Sequence, residues 1–105
     1  MSRSEQIKGF SELILLALLK ERDRYGYEIT SEMEEKSDGI FKMKEGSLYP
    51  ALKKLEEKGF IKSYWKDSFD GPRRKYYYIT KIGMTELHNQ KSQFESLYQI
   101  ILRFI

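Results

Sequence analysis

Cationic and hydroxyl-bearing side chains gather at two places in this 105-residue chain. The first holds Lys44, Ser47, Tyr49, Pro50, Lys53 and Lys54; the second is the uninterrupted run Arg73-Arg74-Lys75. These residue types suit a polyanion. Lysine and arginine neutralise phosphates and release condensed counterions. A serine or tyrosine hydroxyl reaches a phosphate or a base edge, and a proline ring packs on a thymine methyl. Ser47 and Lys44 stand near a helix start, where free backbone N–H groups also favour a phosphate. Each cluster has a plainer reading: solvated lysines on an ordinary amphipathic helix, and cations guarding the edge of a hairpin. Their combination, a helix followed closely by a basic hairpin, is how a winged helix-turn-helix addresses DNA.

Charge follows the same division. Residues 1–41 carry six basic and nine acidic side chains, residues 42–81 eleven and five, and residues 82–105 two of each. The net charge of +3 therefore hides a positive middle segment. Enzyme chemistry has no foothold in the pattern. His88 is the only histidine, Glu34-Glu35 and Glu56-Glu57 are adjacent pairs that diverge on a helix, and there is no cysteine. No glycine-rich phosphate loop or nucleophile motif occurs, and neither metal nor cofactor is expected.

The elements that must position the two clusters can be read from periodicity. A first helix is expected from about Ser4 through the apolar run Leu13–Leu19 to Arg22. That run is too short to span a bilayer, and the acidic residues around it do not suit a signal peptide. A second helix is expected from Gly26 to Lys36, then a turn at Ser37-Asp38-Gly39 and a very short strand at Ile40–Met43. Leu48, Leu52 and Leu55 follow the spacing of a buried stripe, which predicts a third helix closed by Gly59. Pro50 leaves two possible starts, Ser47 or the preferred Glu45. Phe60–Lys66 and Arg74–Ile79 read as strands joined by a loop over 67–72. Tyr76 and Tyr78 face one way, Tyr77 the other, and Trp65 is expected to pack across from them.

Thr80 can cap a long last helix on which Phe94, Leu97, Tyr98, Ile101, Leu102 and Ile105 recur at helical steps. So strong an apolar stripe needs cover. A second subunit suits it best, because two-fold symmetry matches a palindromic site. Membrane contact suits it least, since only Lys91 and Arg103 on that helix are basic. The fold class expected is α+β and mostly helical. Residues 1–80 would form the DNA-binding domain and residues 81–105 the dimerisation helix. A protein-interaction module using the same helix and hairpin, or a passive small-molecule carrier, are the other readings. The absence of cysteine fits a reducing cytoplasm.

With these segments in view the chain resembles the PadR family of bacterial transcriptional regulators over nearly its whole length. The resemblance rests on Leu13–Leu19 with Tyr25-Gly26-Tyr27-Glu28-Ile29, on Gly46-Ser47-Leu48-Tyr49-Pro50-Ala51-Leu52 with Leu55-Glu56 and Gly59, on Gly71-Pro72-Arg73-Arg74-Lys75-Tyr76-Tyr77, and on Thr80 with Gly83. It implies a winged helix-turn-helix with one C-terminal dimerisation helix, repression of a promoter, and release of DNA by a small, often aromatic effector bound between subunits. Some short members stack such a ligand on a tryptophan of the last helix. No tryptophan follows Trp65 here; Phe94, Leu97 and Tyr98 are the residues left to line an apolar cavity.

Overall fold

A computed structural model describes residues 2–105. The element order is α1 (Arg3–Lys8), α2 (Ser11–Glu21), β1 (Arg24–Tyr25), α3 (Gly26–Lys36), α4 (Glu45–Glu57), β2 (Ile61–Ser68), β3 (Gly71–Ile79) and α5 (Lys81–Leu102). The strands form one antiparallel sheet in the order β1-β3-β2. The centre of the core is built from Leu15, Leu16 and Leu19 of α2, Ile29 of α3, Leu48, Leu52 and Leu55 of α4, and Ile61 of β2. This is the winged-helix arrangement expected, mostly helical with a small sheet.

Three expectations about the N-terminal half need correction. The first helix is two helices, not one. It breaks at Gly9 and Phe10, where the Ser11 hydroxyl donates to the Lys8 carbonyl at 2.7 Å in place of a helical amide. Phe10 there turns its ring edge-on to Phe94 of α5, centroids 5.4 Å apart. Second, the short strand lies at Arg24–Tyr25, in a stretch read as a simple helix break. Arg24 is almost fully buried; its Nε donates to the Leu18 carbonyl at 3.1 Å, satisfying one of the open carbonyls at the end of α2. That anchor lays β1 beside Tyr76 and Tyr77 of β3. Third, Ile40–Met43 is not a strand. Phe41 and Met43 are buried, but Phe41 exchanges its backbone bonds with the Ser37 hydroxyl, at 2.9 and 3.1 Å, and not with a neighbouring strand.

The helix carrying the first cationic cluster starts at Glu45, the earlier of the two starts considered. Pro50 therefore lies inside it and leaves the Gly46 carbonyl without its helical donor. Gly59 closes the helix with φ of +77°, a conformation glycine adopts without strain, and the Phe60 amide reaches back to the Leu55 carbonyl at 3.0 Å. Thr80 then ties three elements together. Its hydroxyl donates to the Gly59 carbonyl at 2.6 Å and accepts from the Gly83 amide at 3.1 Å, capping α5 against the end of α4.

Candidate nucleic-acid interface

The leucine stripe fixes how α4 is turned. Leu48, Leu52 and Leu55 are at most 1% exposed, so the opposite side must face solvent. Gly46, Pro50, Lys53 and Glu57 lie along that outer line, and all are exposed. Tyr49 is on the flank toward the sheet; Ser47 and Lys54 are on the other flank, toward α1 and α2. Lys44 sits at the N-cap. Gly46 is absent from the sequence-based set of contacts. A Cβ there would meet nothing within 4 Å, so the backbone of the first turn is bare toward any surface that α4 approaches.

The hairpin differs from its expected shape. Ser68 pairs with Gly71, the Ser68 hydroxyl donates to the Pro72 carbonyl at 2.7 Å, and the loop shrinks to Phe69-Asp70. Arg73, Arg74 and Lys75 therefore stand on strand β3 and not in the tip. Pro72 is tolerated because β1 pairs only with Tyr76 and Tyr77, so β3 is an edge strand at that point. Alternation divides the cations: Arg73 and Lys75 share a face with Tyr77, and Arg74 shares the other with Tyr76 and Tyr78.

Trp65 does not pack across from the tyrosines as expected. It pairs with Lys75, and the Arg73 guanidinium lies 5.6 Å from its ring centroid. Tyr64 takes the expected place. Its ring is 5.7 Å from Tyr76 and 6.0 Å from Tyr78, and its hydroxyl donates to Asp23 at 2.8 Å, which raises the Tyr64 phenol pKa. Tyr77 is the one tyrosine of the triplet in the core. Burial, with smaller contributions from Glu56 and Tyr49, pushes its phenol up to about 12.

Lys44, Lys53, Lys54 and Lys75 make no ion pair among the described residues. Arg73 and Arg74 meet Asp67 and Asp70 only at 3.7 Å, in pairs whose carboxylates are almost fully exposed. Such pairs are worth little and give way readily to another anion. The candidate cations thus stand on both flanks of α4 and both faces of β3, with their charge largely unspent.

The last helix supplies a second candidate surface. Its first turns are held down by Gly83 and Leu87, and Gln90 donates to Glu12 of α2 at 2.9 Å. From residue 91 onward every residue is exposed. Phe94 and Leu97 join Phe10 and Leu13 along a shallow groove of about 310 Å³, whereas Tyr98, Ile101, Leu102 and Ile105 lie beyond it with no cover. No helix among the described residues is long and apolar enough to cross a membrane.

Comparison with known proteins gives this geometry a family. Residues 15–89 match the model of the transcriptional regulator PadR-like family. The chain belongs to that family. It is similar to the negative transcriptional regulator PadR of Bacillus subtilis, 35% identical over 77 residues, which are 71% of this chain and 41% of that protein. Among solved structures, a transcriptional regulator from Clostridium thermocellum superposes with a TM-score of 0.85 at 37% identity, covering 97% of this chain and 99% of that one. A PadR family transcription regulator from Clostridium difficile gives 0.80 at 34% identity, covering 90% and 97%. The chain is accordingly a PadR-family transcriptional regulator and not an enzyme.

Two contacts at this surface were not legible in the sequence. Tyr25 lies under the Arg74 guanidinium, 4.7 Å from ring centroid to Cζ, and Tyr49 packs its hydroxyl against Gly26, where any Cβ would overlap it. The adjacent Tyr25-Gly26-Tyr27 was a visible signal, but its meaning depends on β1 bringing Tyr25 beside β3.

Proposed function

We propose that this PadR-family chain is a cytoplasmic homodimeric repressor that binds a palindromic duplex operator. Each subunit lays α4 in a major groove and the β2–β3 wing beside it, with Lys44, Ser47, Tyr49, Pro50, Lys53, Lys54, Arg73, Arg74 and Lys75 as contacts. Residues 1–80 read the DNA and residues 81–105 join the subunits through Phe94, Leu97, Tyr98, Ile101, Leu102 and Ile105. The observation that carries this reading is the gathering of cations on α4 and on β3, of which, among the described residues, Arg73 and Arg74 alone meet carboxylates, at 3.7 Å in exposed pairs. The negative regulator of B. subtilis supports repression over activation. A small hydrophobic or aromatic effector fits the groove beside Phe10, Leu13, Phe94 and Leu97, where it would alter the spacing of the two recognition helices.

The test is selection of bound fragments from genomic DNA of the source organism at two salt concentrations. Enrichment of a palindrome, with affinity falling steeply as salt rises, is the expected result. Equal affinity for every sequence would overturn it and leave the protein-interaction module.

A further inference from the structure

The three cations of the wing border one hollow. An open hollow of about 470 Å³ lies between the N-terminus of α3, the Tyr49 flank of α4 and the wing, and Arg73, Arg74 and Lys75 all line it. Arg73 and Lys75 reach it from one face of β3. Arg74 borders it from the other face, where its guanidinium lies over the ring of Tyr25 beside Tyr76. Each cation also lies on an aromatic ring: Arg73 on Trp65 at 5.6 Å, Arg74 on Tyr25 at 4.7 Å and Lys75 on Tyr77 at 5.5 Å.

Like charges gathered in a solvent-facing hollow repel one another, so their convergence suits an anion. The rings make the arrangement more specific. A guanidinium lying on a ring face is held in place while the N–H groups at its edge remain free to donate. Trp65 is 57% exposed, which is a large apolar surface to leave uncovered unless it serves as the wall against which Arg73 is held.

We propose that this hollow seats one backbone phosphate of duplex DNA, with Trp65 as the positioning residue that holds Arg73 toward it. The inference rests on the DNA-binding reading above and adds to it a phosphate seat and an uncharged residue that acts through a charged one. Phosphate chemistry could equally come from a free nucleotide or inorganic phosphate, and the test separates these sources.

Trp65 is the only tryptophan, so its emission reports on the hollow directly. The full-length parent is first titrated with a labelled random duplex by anisotropy across a salt series. Absence of salt-dependent binding at that step would overturn the DNA-binding reading and this inference together. Given binding, the duplex should change Trp65 emission, whereas inorganic phosphate and AMP at matched phosphate concentration should not. An equal change with either small anion would overturn the assignment to the DNA backbone. Trp65→Ala, Arg73→Ala and the double variant are then compared. Each single variant should lower affinity roughly tenfold, as expected for a lost charge-assisted contact. Each should also reduce the log–log salt slope by about 0.9 per bound subunit, the loss of one phosphate contact in each. The double variant should fall no further than either single, and Trp65→Phe should restore both affinity and slope. Because Trp65 carries no charge, a merely structural role would lower affinity with the slope unchanged. That outcome, or independent addition of the two effects, would overturn the proposal.

Discussion

Helices α4 and α5 carry similar apolar stripes and meet opposite fates. In α4, Leu48, Leu52 and Leu55 recur at helical spacing and are at most 1% exposed. In α5, Phe94, Leu97, Tyr98, Ile101 and Leu102 recur in the same way and are 42–54% exposed. The difference lies in neighbours and not in pattern. The α4 stripe lies against α2 and the start of β2, and Gly59 and Thr80 lock its end. The α5 stripe runs past the N-terminal end of α2, where Phe94 meets Phe10, and every residue from 91 onward is exposed. Periodicity thus shows that a helix has a face to bury, and only tertiary contact shows whether its own chain buries it.

That contrast can be broken first through stability. Leu52→Ala should cost about 2–5 kcal/mol in urea unfolding, the range for a fully buried leucine, while Leu102→Ala should change unfolding of the dilute protomer far less. Equal losses would mean that α5 is buried within its own subunit. Next comes assembly. Leu97→Glu with Ile101→Glu should convert a dimer to a monomer by sedimentation without unfolding the domain, and weaken operator binding by about a hundredfold or more as the two half-sites uncouple. An unchanged sedimentation coefficient would place the subunit contact elsewhere.

On the DNA side, Arg73→Ala with Arg74→Ala should weaken binding on every sequence and flatten the salt slope. A double variant that binds like the parent would remove the wing from the interface. The smallest effect is expected from titration. The Tyr77 phenol is raised to about 12 from an ordinary 10.0, chiefly by burial, so the folded protein keeps a proton that the unfolded chain has already lost. Stability should therefore be intact below pH 10.0, fall as pH rises toward about 12, and level off above it. Tyr77→Phe should remove that decline. At the acid end the hydrogen bond from Lys36 lowers the Glu21 pKa, so its contribution is present above the ordinary carboxylate range and lost as pH falls through the lowered value.

Much of the fold was legible because local rules agreed with one another. The leucine stripe, Gly59 as a helix end and Thr80 as a cap are all positions where backbone chemistry leaves one good solution. The division of the first helix was harder to see. The apolar run masks it, and at the stop Phe10 packs against Phe94 far along the chain. The short strand was missed for a related reason. Ile40–Met43 reads as a very short strand, yet β1 forms at Arg24–Tyr25, where a buried arginine fastens it to the end of α2.

The candidate interface divides along the same line. Residue types and spacing alone marked out the cations of α4 and of the wing, since a phosphate-binding surface needs positive charge wherever it is displayed. Which aromatic ring each cation rests on, and that all three wing cations meet at one hollow, depended on strand register and on where β1 stops. Sequence therefore determined the helix faces, their caps and the sign of the surface, because these follow from local periodicity and backbone bonding. Only the tertiary structure decided which stripe is covered and which cations converge, because those depend on contacts between residues distant in the chain.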